Sequence, residues 1–232
     1  MAGLATHLII AREVHKLLPE GTIRDIGQFY AGSIAPDAVH VRRNYVRADK
    51  KHTHLRDDIA DKDFILEDYR KLFLDRVSDF ILKNRDRRDG YLDVYRGYVV
   101  HLLTDELYVL TIREEFVRSM EKLGIAQNDR EFFSRVITDM NRSDFLLLYN
   151  YKEKDELRYY LEQVKPFEID HMMSEAEVSE SREWVINRFF HEEYELLDPV
   201  YMSYEDSLEF VRMAAENIKN RLSAGGSLPR MF

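Results

Sequence analysis

The chain contains no cysteine. Disulfides and thiolate metal sites are therefore excluded, and any bound metal must rest on His, Asp and Glu. Only 9 glycines and 5 prolines occur in 232 residues, too few for a fold built from many tight turns, and this scarcity favours long helices. No alternating apolar–polar stretch reads as a strand, and no internal repeat is present. No apolar run is long enough to span a bilayer. The N-terminal stretch MAGLATHLIIAREVHKLL carries Arg12, Glu13 and Lys16 inside its apolar pattern, which reads as an amphipathic helix and not as a signal peptide. Basic excess is missing too: a net charge of -9 argues against general nucleic-acid binding. A cytoplasmic protein is the expectation.

What is present points to one all-α domain spanning 1–232. The 45% hydrophobic and 33% charged residues suit a sizeable core under amphipathic helices with solvated outer faces. Helical periodicity predicts a first helix over 5–18, stopped by Pro19, then a loop marked by Gly32, Ser33 and Pro36 that leads to Asp37. Residues 40–60 read as polar and irregular. A stripe of Ile65, Tyr69, Leu72, Phe73, Val77, Phe80 and Ile81 predicts a helix over 63–83, and 91–120 reads as one central helix. Further helices are expected from an Asn128 cap with Glu131, near 153–164, over 181–197, and from Ser203 to Leu222. The multi-helix bundle then has a metal-site half (1–119), a set of C-terminal helices (120–225), and a frayed tail (226–232).

The chemistry concentrates in GYVVHLLTDELY. His101 and Asp105 stand one helical turn apart, inside a face otherwise made of Val94, Gly97, Tyr98, Tyr108 and Ile112. One cation could take a nitrogen from the first and an oxygen from the second. A buried histidine satisfied by an aspartate explains the pair equally well, but a lone ion pair gains little in an apolar segment. Three other candidate ligands lie upstream: His7, Asp37 and His54. His52 shares the H-x-H stretch with His54, so either of these two could be the ligand. Gly97 would let another backbone or a bound group approach the His101 side. His191 with Glu195 reads as a surface pair, and His15, His40 and His171 lack convincing partners. The basic stretch 42–56 could steer an anion, with Arg42, Arg43 and Lys51 as candidate contacts for a small phosphate-containing substrate.

Taken in order, THLIIA, FYAGSIAPDAVH, the histidine of KKHTHL and GYVVHLLTDELY resemble the zinc-dependent phospholipase C family, more distantly related to S1/P1-type nucleases. The resemblance covers the chain to about residue 115. It implies an all-α bundle with its metals in a cleft and hydrolysis of a phosphate ester by a metal-activated water. It also implies that His54, His101 and Asp105 hold one zinc, with Asp37 as a further ligand or as the base that activates water. His7 would serve an adjacent zinc, with Asp105 able to bridge the two. No histidine falls between His101 and His171, so the family's additional ligand set has no counterpart and one or two ions are expected. Zinc suits the N/O ligand set, as manganese, iron or nickel also would. The competing reading is a non-catalytic helical protein with a structural metal or a partner-binding role. An HD-type phosphohydrolase is disfavoured because no adjacent His-Asp dipeptide exists.

Overall fold

The computed structural model describes residues 2–232. Among these the chain forms α-helices without a strand. In order they are α1 (Leu4–Leu17), α2 (Ile26–Ile34), α3 (Arg47–Thr53), α4 (Glu67–Asn84), α5 (Leu92–Leu110), α6 (Ile112–Lys122), α7 (Arg130–Asn150), α8 (Lys154–Glu162), α9 (Glu175–Ile186) and α10 (Tyr204–Leu222). A 3-10 segment, Ala35–Val41, continues α2, and a π turn, Asn187–His191, ends α9.

Helix α5 is the axis of the molecule. Its residues are buried on nearly every side, so its apolar character runs all the way round. It packs most extensively on α2, and the two glycines of that crossing explain why. A Cβ on Gly32 would meet the Val94 carbonyl oxygen at 2.1 Å, and one on Gly97 would meet that of Phe29 at 2.0 Å. Each helix contributes a glycine where the other's backbone passes. Gly32 is therefore a helical contact residue, and the expected loop is in fact helix running straight into the 3-10 segment that carries Asp37. The expectation for Gly97 stands, and the approaching group is backbone.

Helix α1 lies against α2, α5, α7 and α10. Its N-terminus is capped from outside: Asp144 of α7 accepts from the Ala5 and Thr6 amides (3.0 and 3.1 Å) and from the Thr6 hydroxyl (2.7 Å). A carboxylate there also suits the positive end of the helix. Gly3 leaves room for it, since a Cβ would sit 2.1 Å from Asp144 Oδ2.

Other expectations are corrected. The 40–60 stretch contains α3, with His54 as its C-cap. The 91–120 helix is broken at Thr111 (φ -123°, ψ -88°) into α5 and α6. Arg130 opens α7 after Asp129, not after an Asn128–Glu131 cap. The expected 181–197 helix begins earlier, at a capping box formed by Ser174 and Glu177, and its α-helical part ends at Ile186. The helix expected over 63–83 is α4, starting at Glu67, and of its stripe Ile65, Tyr69 and Leu72 are exposed while Phe73, Val77, Phe80 and Ile81 are buried. The tail does not fray: Met231 and Phe232 donate to the Leu222 carbonyl, Arg96 donates to that of Met231, and Leu228, Met231 and Phe232 are buried.

An open helix gains about 1 kcal/mol when Gly becomes Ala. Gly97→Ala is expected to reverse that sign and lower stability by about 1–3 kcal/mol, the usual cost of overpacking. Urea denaturation of the variant beside the wild type checks it.

Candidate metal centre

Five side chains distant in sequence meet on one side of α5. His101 and Asp105 come from α5 itself, His7 from α1, Asp37 from the 3-10 segment and His54 from the end of α3. All are buried, His7 and His101 at 0% exposure and Asp37, the most open, at 7%. The ligand-type atoms of His7, His101 and Asp105 lie within 4.8 Å of one another, as do those of Asp37, His54 and His101.

The tautomers follow from the neighbours. His101 Nδ1 is 2.8 Å from the Ser33 carbonyl oxygen, and His54 Nδ1 is 2.8 Å from that of Lys50. A carbonyl only accepts, so both Nδ1 atoms carry the proton and both Nε2 atoms present lone pairs. Those two Nε2 atoms face each other at 3.2 Å. His54 Nε2 is also 3.4 Å from Asp37 Oδ1 and 3.6 Å from Asp105 Oδ2, and His101 Nε2 is 4.0 Å from Asp105 Oδ2. For zinc–ligand bonds of about 2.0 Å, the edge of a tetrahedron is about 3.3 Å. The His54–His101 and His54–Asp37 separations lie near that value, and Asp37, His54 and His101 on one side and His7, His101 and Asp105 on the other each offer three donor atoms close enough to hold a cation.

Orphaned atoms point the same way. Asp105 Oδ2 has no hydrogen-bond partner, and neither do Nδ1 or Nε2 of His7, although all are buried. The His7 ring stacks on His101 (centroids 3.7 Å apart, planes within 7°), which places its Nε2 3.4 Å from Asp105 Oδ1. That distance is an ion-pair contact without hydrogen-bond alignment. Asp105 Oδ1 also accepts from the Ala2 amide at 2.9 Å. Asp105 thus offers one oxygen toward His54 and His101 and the other toward His7.

Burial works against charge on every member, and the outcome depends on the partners. His101 and His54 are pushed below the ordinary histidine range, with burial as the largest cause. Burial also opposes ionisation of Asp37, but the Lys50 ammonium and His54 hold its carboxyl well below the usual range. Asp105 is held low by His7 and by the charge around it, again against its burial. Neutral imidazoles beside ionised carboxylates are the protonation states a metal site needs.

Lys50 is the residue that sequence reasoning missed. It is buried, pairs with Asp37 and contacts His40 Nε2 at 3.0 Å. Burial and then the Lys50 charge push His40 down to about 4, so it stays neutral and accepts from the ammonium. Lys50 precedes His54 by one helical turn, a spacing that carries no signal while the stretch is read as irregular. A carboxylate kept ionised by an ammonium is a weak base.

The remaining sequence candidates separate. His52 is exposed and pairs with Asp57, which leaves His54 as the cluster member. His191 approaches Glu162 (3.8 Å) and not Glu195, while His15 contacts the Tyr30 hydroxyl. Arg42 does not face an anion site. It holds Glu177, Asp49 and the Met172 carbonyl (2.6, 2.8 and 3.0 Å), clamping α9 onto the segment that carries Asp37. Arg43 is exposed and Lys51 half-buried, and neither pairs with the cluster among the described residues. A cavity of about 430 Å³ lined by Ile9, Leu17, Leu147, Leu208 and Val211 lies between α1, α7 and α10, and none of these groups lines it.

No family model, curated protein or solved structure matches this chain.

The sign of the pH dependence follows from the lowered histidines. The unfolded chain takes up protons near pH 6.5 that folded His54, His101 and His40 refuse, so stability falls as pH drops from about 6.5 toward 4. The depressed Asp37 and Asp105 extend the loss below pH 4 in the same direction. Thermal unfolding of chelator-treated protein across pH 7.5 to 4 is expected to show a steady fall in midpoint. A flat profile above pH 5 contradicts the neutral assignment of the buried rings.

Proposed function

We propose that this protein is a metal-dependent hydrolase that acts on a phosphate ester, with zinc as the preferred ion. His54, His101, Asp37 and Asp105 would hold one ion, and His7 with Asp105 would face a second. The observation that carries the reading is the pair of Nε2 lone pairs facing at 3.2 Å in a buried site that also holds two carboxylates. The similarity of the motifs to zinc-dependent phospholipase C supports the same chemistry. When bound, such an ion lowers the pKa of water to about 7 and polarises a phosphoryl oxygen.

The chain's own residues supply the rest. Ser33 and Lys50, through their carbonyls, fix the two imidazoles in the ligating tautomer. The Lys50 side chain keeps Asp37 ionised and oriented. It also donates to the half-exposed His40, which links the edge of the cluster to solvent. The apolar wall of α5 and the stacked His7 ring keep bulk water from the ligands.

One observation favours a second reading. The five cluster residues are almost closed to solvent, as in a structural metal site, where the ion adds folding energy and catalyses nothing.

Elemental analysis of purified protein is expected to find about one or two equivalents of zinc or a similar ion. In Asp105→Asn most of it is lost. Hydrolysis of a phosphomonoester, phosphodiester and phospholipid panel by the loaded wild type, absent after chelation, supports the enzyme. Stoichiometric metal that raises the melting temperature without any hydrolysis assigns the structural role. Absence of metal after incubation with zinc removes both readings.

A further inference from the structure

A second cluster lies beside the first. Asp61 pairs with Arg47 at 2.6 Å and with Arg56 at 3.3 Å. The Arg56 guanidinium lies over the Phe64 ring, 3.9 Å from its centroid, and is buried to 6% exposure with its Nε lacking any hydrogen-bond partner. Arg113, from the first turn of α6, joins them. It is half-buried, senses the charges of Asp61, Arg47 and Asp105, and stands 5.8 Å from the centroid of Phe132. Arg56 likewise senses Asp61, Asp105, Arg47 and Arg113.

Two guanidiniums thus share one carboxylate, and Arg113 lies within range of its charge without pairing with it. The buried Arg56 Nε without a partner marks a cation whose hydration is only partly replaced. Such an arrangement is costly unless another anion completes it. The cluster also has a direction: the Arg47 side chain is half exposed, Asp61 about one-third and Arg56 7%. Its most buried member, Arg56, stands two residues after His54 of the first cluster.

We propose that Arg47, Arg56 and Arg113 form a binding subsite for a phosphate-class anionic group of the substrate, next to the metal cluster. The guanidinium fork matches a tetrahedral oxyanion through paired N–H donors. Asp61 spaces the arginines when no anion is bound. This inference takes the location of the reactive centre from the hydrolase reading, but anion binding itself requires no catalysis.

Calorimetric titration of inorganic phosphate into zinc-loaded and chelator-stripped protein tests it, with Arg47→Gln and Arg113→Gln alongside. Arg47 is half exposed, so its substitution leaves the core intact even if the Arg113 variant folds poorly. The expected result is phosphate binding that weakens about tenfold or more in each variant while zinc content stays at the wild-type level. Arginine-dependent binding that persists in stripped protein supports the subsite even if no hydrolysis is ever found. Phosphate binding that disappears with zinc yet is normal in both variants overturns the subsite and leaves the hydrolase reading intact. Absence of phosphate binding to the loaded wild type also overturns it.

Discussion

Two imidazole nitrogens with their lone pairs aimed at each other across 3.2 Å are the constraint on which the rest of the structure depends. The pair is unfavourable as it stands, because neither atom can donate and burial discourages a shared proton. The fold holds it in place from outside. The glycine crossing of α2 and α5 brings the Ser33 carbonyl to His101, and the end of α3 turns the Lys50 carbonyl to His54. Without that crossing the Ser33 contact could not form, since a side chain at either glycine would drive the helices apart.

The C-terminal half positions this site without supplying a ligand to it. Asp144 of α7 caps α1 at the two residues just before His7, fixing where the ring stacks. Arg42 ties α9 to the segment bearing Asp37, and α10 packs along α1. These are interactions between elements far apart in the chain. They explain why 232 residues serve a cluster whose members all come from the first 105.

Charge is divided the same way. Carboxylates gather at the buried histidine cluster with one lysine, while guanidiniums gather around Asp61. A cation would complete the first group and an anion the second. In the proposed reading, a phosphate ester held between them would meet positive charge on both sides.

The all-α class, the first and last helices and the pairing of His101 with Asp105 were legible in the sequence, because helical periodicity and i,i+4 spacing are local properties. The grouping of His7, Asp37 and His54 with that pair rested on resemblance, and local spacing alone left His52 and His54 equal. Only tertiary structure separated them: the α3 cap buries His54 and leaves His52 beside Asp57 in solvent. Gly32 read as a loop marker because a glycine in sequence does not reveal whether its missing side chain serves a turn or a neighbouring backbone. Arg42 read as a free cation because its partners, Glu177 and Met172, lie more than a hundred residues away. The sequence by itself determined which residues could carry the chemistry; which atoms face one another was decided by helix crossings, because a crossing depends on surfaces that no single stretch of chain contains.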